Sequence, residues 1–191
     1  MACKCANEIV KKRYLCMEQV LAVREIRESD IDFIADYWST ATPEYLLNMG
    51  VDLKKMPARS DFLTMLSNQI KLNYEHKKSF ALIWEVDGKP VGHSNVNPIE
   101  FGNQAFMHLH IWYPEYRGKG FGEKFVKLSI PLFFEKLKLQ RLFSEPYALN
   151  PSPNRTLPKA GFKFVKSYMT IPGSINFEQQ VNRWVIELHS D

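Results

Sequence analysis

The chain has 191 residues, 45% of them hydrophobic and 24% charged, enough to bury one sizeable core and too few for two domains of ordinary size. With 9 Gly and 11 Pro, the composition excludes disordered and fibrous classes. The net charge of +4 comes without a block of basic residues, so it gives no nucleic-acid footprint and suits a small anionic ligand equally well.

No stretch approaches the roughly 20 apolar residues of a membrane helix, and Lys4, Lys11, Lys12 and Arg13 interrupt any signal-peptide core. The 3 cysteines, Cys3, Cys5 and Cys16, are an odd number with no histidine partners at zinc spacing, so neither a disulfide framework nor a metal site is expected. A cytoplasmic monomer or homodimer is expected, with residues 1–16 as an N-terminal extension and 17–191 as one domain.

In chain order, Val20 to Arg27 reads as a strand because its second half alternates in polarity. Ser29, Asp30 and Asp32 open a helix that places Ile31, Ile34, Ala35 and Trp38 on one face. Pro43 and Gly50 bound a loop, and Ser60 and Asp61 open a second helix carrying Phe62, Leu63, Leu66, Ile70 and Tyr74. Phe80 to Val86, Pro90 to Val96 and Gln104 to Trp112 form a meander turned at Asp87-Gly88 and Gly102-Asn103. Gly122 to Leu137 is a long helix with a wide apolar face and an expected kink at Pro131. A short strand from Arg141 to Glu145, a helix from Pro153 to Ala160 and strands over Lys163–Ile171 and Arg183–His189 complete the chain. The order β-α-α-β-β-β-α-β-α-β-β predicts an α+β fold, a mixed and largely antiparallel sheet with helices on both faces.

The segment Tyr116-Arg117-Gly118-Lys119-Gly120-Phe121-Gly122 lies between a strand and a long helix. Its alternate glycines bring several amides to one point, where the positive helix end adds to the attraction for phosphate. A dinucleotide fingerprint or a Walker loop would need other spacings. Arg117, Gly120 and Gly122 instead match a phosphate-loop motif that resembles the GNAT superfamily of acyl-CoA N-acetyltransferases. A second run, Asn150 to Phe162, resembles that superfamily's other signature, opened by Asn and closed by Gly-Phe.

The resemblance implies acetyl-CoA as co-substrate and no metal, held by Ile111, Trp112, Arg117, Gly118, Lys119, Gly120, Phe121, Gly122, Asn150, Asn154 and Arg155. Within the superfamily, His108-Leu109-His110-Ile111 and Glu145-Pro146 resemble acetylases that modify hydroxylysine in siderophore biosynthesis and, more distantly, aminoglycoside 6'-acetyltransferases. That implies a small acceptor bearing an amine or hydroxylamine. A protein N-terminus, an aminoglycoside, or a non-catalytic acyl-CoA-binding module are the alternatives. Tyr147 stands where the siderophore enzymes carry an acid, and Leu157 where many members carry a tyrosine general acid.

Acetyl transfer from a thioester to an amine needs a proton acceptor, donors for the tetrahedral oxyanion and an acid for the thiolate. Phe106, His108, His110 and Trp112 share parity on the strand that leads into the phosphate loop, so they line one face. His108 is the first candidate for the base, with His110 its rival, and a histidine titrates in the right range for the task. Glu145 is a further acid or base and Tyr147 a donor to the leaving thiolate. His93 is expected to be structural, while Trp38, Tyr45, Trp84, Phe101 and Phe106 are candidates for the acceptor wall.

Overall fold

The fold is taken from a computed structural model, which describes residues 19–188. The three cysteines and the His189 end of the last expected strand lie outside that range.

Seven strands form one sheet in the order β1-β2-β3-β4-β5-β7-β6. They are β1 (Leu21–Glu25), β2 (Phe80–Val86), β3 (Lys89–Glu100), β4 (Gln104–Ile111), β5 (Arg141–Ser144), β6 (Lys163–Thr170) and β7 (Gln179–Glu187). All neighbours are antiparallel except β4 and β5, where the crossover through α4 (Phe121–Leu137) returns the chain in the same direction. The expected mixed, largely antiparallel sheet is therefore present.

Period-two alternation sends each strand's side chains to two separate cores. Phe80, Leu82, Trp84 and Val86 of β2 pack with Phe125, Val126 and Phe133 of α4 and with Leu157 of α5 (Pro151–Lys159). Ala81 and Ile83 point the other way, against Ile31, Ile34 and Tyr37 of α1 (Ile31–Ser39) and Leu66 of α3 (Arg59–Lys71). Helices thus cover both faces.

The expected loop after Pro43 is instead a helix, α2 (Pro43–Asn48). Its start follows from local chemistry: the Thr42 hydroxyl accepts from the Tyr45 amide at 3.3 Å, and Pro43 occupies the first turn, where no N–H is needed. The same arrangement starts α5 at Pro151, two residues before Pro153, with Asn150 Oδ1 accepting from the Ser152 amide at 3.2 Å. The long helix continues through Pro131, and α3 ends at Lys71, short of Tyr74, which opens a separate turn. Trp112 lies one residue beyond the end of β4, and β7 begins at Gln179, ahead of Arg183.

Candidate active site

The site begins where two parallel strands part. β4 and β5 pair only at Gln104–Arg141, Ala105–Leu142 and Phe106–Phe143, so from Met107 to Ile111 one edge of β4 has no strand against it. The Ser144 hydroxyl donates to the Met107 carbonyl at 2.8 Å and closes the apex of the split. An unpaired strand edge carries free amides and carbonyls that a ligand can take up.

The loop after β4 supplies an anion site. Gly118 and Gly120 have φ of 70° and 78°, and a Cβ on either meets nothing within 4 Å, so the backbone is bare towards solvent there. Among the described residues, the amides of Gly118 to Glu123 have no acceptor, whereas Lys124 N donates to Gly120 O at 3.5 Å. Those of Gly120 to Glu123 are the orphan donors at the start of α4, on its positive end, and those of Gly118 and Lys119 lie in the loop just before it. Arg117 turns away from them: its Nε and Nη2 donate to the carbonyls of Ile111 and Trp112 at 3.0 and 2.9 Å, and its guanidinium lies 4.5 Å from the centre of the Tyr45 ring. Arg117 therefore fastens the loop to the end of β4.

A cleft of about 490 Å³ runs from this loop into the split, lined by Leu109, Ile111, Gly118, Gly120, Gly122, Asn150, Arg155 and Lys159 among others. A smaller cleft of about 80 Å³ lies at the inner end, with His108, Glu145, Tyr147 and Gln179 on its walls. The two share Met49, Leu109, His110, Asn150 and Pro153. His110 thus stands at their junction.

The smaller cleft is bounded by a latch between the turn after α2 and the β6–β7 loop. Val51 and Asn176 form a bridge, Asp52 N donates to Ile175 O at 2.8 Å, and the side-chain amides of Asn176 and Gln179 donate to Gly50 O at 2.8 and 3.1 Å. Gln179 Oε1 is the one buried side-chain polar atom without a partner among the described residues, and a Cβ on Gly50 would stand 1.9 Å from it. Only glycine fits there, at φ 82°.

The histidines differ in their bonds. His93 Nδ1 accepts from Trp112 Nε1 at 2.8 Å, and burial, with His108 nearby, pushes the His93 pKa down to about 3. His110 stacks on His93 with ring centres 4.6 Å apart, and its Nδ1 lies 3.2 Å from the Tyr37 hydroxyl. Burial first, and then His93 and His108, hold His110 well below the usual imidazole range. His108 Nε2 donates to the Asn97 carbonyl at 3.2 Å; burial lowers its pKa, opposed by that bond and by Glu145. All three are neutral near pH 7.

The remaining expected site residues divide by placement. Ile111, Asn150 and Arg155 line the larger cleft and Tyr147 the smaller one. Trp112 faces the α1 side, stacked on Phe33, and Phe121 is buried in the core. Asn154 turns inward, donating to Tyr147 O and Asn150 O and accepting from Asn182 Nδ2 and Trp184 Nε1. Glu145 Oε1 accepts from Arg183 Nε and the Tyr168 hydroxyl. Of the aromatic wall candidates, Trp84 stacks in the core on Phe125 and Phe106 on Phe143, while Tyr45 lines the larger cleft. Tyr37 is the contributor that sequence reasoning missed, since a tyrosine beside the apolar face of α1 carries no motif.

Among the described residues no group of three or more His, Cys, Asp or Glu is placed to hold a metal ion, and no helix is long and apolar enough to cross a membrane. The family model of the acetyltransferase (GNAT) domain matches residues 21–163. Among curated proteins no sequence gives a significant match. Similar solved structures include the ribosomal L7/L12 α-N-protein acetyltransferase RimL in complex with coenzyme A, with TM-score 0.71 and 14% identity over 90% of this chain and 96% of that one. Spermidine N-acetyltransferase from Vibrio cholerae, in complex with CoA and spermine, gives 0.69 and 18% over 87% and 95%. The aminoglycoside acetyltransferase AAC(6')-Ib, in complex with coenzyme A and kanamycin, gives 0.67 and 15% over 88% and 95%.

Proposed function

The chain belongs to the GNAT acetyltransferase family, and from that membership we propose that it moves the acetyl group of acetyl-CoA directly onto an amine or hydroxylamine of a small acceptor. The observation that carries this reading is the split between β4 and β5, which opens beside a row of unpartnered amides and meets a second cleft at His110.

In this reading the amides of Gly118 to Glu123 hold the pyrophosphate, with Arg155 and Lys159 on the cleft wall supplying positive charge. The free edge of β4 takes the pantetheine amides and brings the thioester to the junction. A β4 amide there donates to the oxyanion. The acceptor amine enters through the smaller cleft and attacks the thioester carbon; the C–N bond forms, the C–S bond breaks, and CoA leaves as the thiolate. The attacking nitrogen's proton goes to His110 Nε2. His108, bound to Asn97 O, lines the acceptor's path, as do Tyr147 and Glu145.

Calorimetry with acetyl-CoA and CoA-thiol release with hydroxylysine, lysine, aminoglycosides and N-terminal peptides test the reading together. Binding and thiol release with a small amine are expected. Folded protein that gives no heat at millimolar acetyl-CoA rules the reading out, and reaction with peptides alone removes the small acceptor. His110→Ala should lower kcat by about 10²-fold or more with the acetyl-CoA KM unchanged.

A further inference from the structure

Three hydroxyl and imidazole groups form a connected row from the junction of the clefts to the protein surface. His110 Nδ1 is 3.2 Å from Tyr37 Oη, and Tyr37 Oη is 3.2 Å from Tyr45 Oη. Tyr37 is 8% exposed. Tyr45 is half-buried, lining both the acetyl-CoA cleft and an outer aromatic groove of about 590 Å³ that holds Phe33, Trp112 and Tyr113. The row therefore starts at the junction of the two clefts and ends at a residue that faces both the larger cleft and the outer groove.

We infer that Tyr37 and Tyr45 are positioning and relay residues that carry the acceptor's proton from His110 to solvent. The inference rests on the acetyl-transfer reading above, because it needs a proton to arrive at His110.

The geometry around His110 gives the reason a relay is needed. Its neighbours are His93 stacked on one side, the buried Tyr37 phenol, the edge of Trp38 at 5.0 Å between ring centres, and His108 two residues back on the same strand. None of these is a carboxylate that would hold an imidazolium in place. A half-buried imidazole with such neighbours holds a second proton weakly, and the Tyr37 hydroxyl is the partner within hydrogen-bond reach to receive one. Tyr37 does not serve as an anion, since burial and Tyr45 raise its pKa well above that of an ordinary phenol. It can accept one proton as it releases another.

The transfers balance as follows. In the resting state His110 Nδ1–H donates to Tyr37 Oη, and Tyr37 O–H donates to Tyr45 Oη. The competing acceptor for that hydroxyl, Met49 Sδ at 3.4 Å, is a weak one. When Nε2 takes the nitrogen's proton, Nδ1 passes its own to Tyr37, Tyr37 passes its hydroxyl proton to Tyr45, and Tyr45 releases one to water. Imidazole ends neutral with the proton on Nε2, and it returns to the Nδ1–H form by exchange with solvent after product leaves. The Arg117 guanidinium over the Tyr45 ring disfavours a positive charge resting there, which directs the proton outward.

The first measurement needs no acceptor. Imidazole nitrogen NMR of the full chain at pH 7 should show His110 neutral with its proton on Nδ1, and Tyr37→Phe should move that proton to Nε2. An Nε2–H tautomer in the unaltered protein overturns the relay. The second uses whichever amine of the panel reacts best: Tyr37→Phe should lower kcat by about 10-fold, leave the acetyl-CoA KM in place and recover activity as pH rises and hydroxide takes the proton directly. Unchanged kcat and pH profile in folded Tyr37→Phe overturn it. Should Tyr37→Phe fail to fold, Tyr45→Phe at the outer end of the row decides by its solvent isotope effect on kcat, expected to be smaller than that of the unaltered protein and fatal to the relay if equal. Absence of turnover with every amine counts against acetyl transfer itself, while the tautomer still decides the contact.

Discussion

Gly120 caps α4 at φ 78°, ψ −2°, and the empty space around its Cβ position separates two effects of replacing it. Gly120→Val places a β-branched residue in the left-handed region, costing about 1–2 kcal/mol, without a clash inside the protein. The new side chain instead fills the space to which the neighbouring amides point. Calorimetry should therefore show acetyl-CoA binding lost in a protein whose melting curve shifts only modestly. The buried histidines give a second expectation. His93 has a folded pKa near 3 against about 6.5 unfolded, so below pH 6.5 the unfolded chain binds more protons and stability falls as pH falls. For each histidine kept neutral, the slope approaches about 1.4 kcal/mol per pH unit. Urea denaturation between pH 7 and pH 5 should show the loss, and His93→Asn should lessen its slope by one histidine's share. These residues also show what the sequence disclosed. His108 and His110 were visible as a period-two pair ahead of a glycine loop, but which of them meets both clefts depends on where β5 leaves β4, and no local pattern records that.

At the scale of elements, α4 is fixed to the sheet by a buried hydroxyl as well as by apolar contact. Ser129 Oγ accepts from Trp84 Nε1 at 2.9 Å and from Ser94 Oγ at 3.2 Å, and donates to Phe125 O at 2.8 Å. Ser129→Ala leaves the indole N–H without an acceptor, at a cost of about 1–3 kcal/mol, readable as a lower urea midpoint with an unchanged m-value. The elements themselves were legible where polarity alternates or an apolar face repeats: β2, β4 and the long helix fall where the pattern puts them to within a residue, while β3 runs on past Val96 to Glu100. The helix over Pro43–Asn48 was not, because Pro and Gly at its borders read as punctuation, while the Thr42 hydroxyl and the first-turn proline are equally a helix start. The start of β7 was hidden for a different reason. Gln179 and Gln180 are polar and look like loop, yet Gln179 is 3% exposed, its amide spent on the latch at Gly50. Tertiary partners, invisible in a single chain of letters, decide such positions.

In the whole molecule, helices on both faces and the apolar cores are what the strand order foretold, whereas the arrangement of clefts required the third dimension. The latch at Gly50 joins residues more than 120 positions apart in sequence, and the Glu145–Arg183 pair joins β5's end to β7. Neither has a signature. The three rungs between β4 and β5 also mean that the sheet consists of two panels, β1–β4 and β5–β7, hinged at one narrow seam. A molecule lying in the split would supply the missing rungs and act as a rivet between the panels. Saturation at 100 times Kd adds about 2.7 kcal/mol to global stability, and a rivet distributes its protection unevenly. Hydrogen exchange with acetyl-CoA present should slow most in Met107 to Ile111, at the start of α4 and in the first turn of α5, with little change in β1 and β2; uniform slowing throughout the sheet would mean that the panels already move as one.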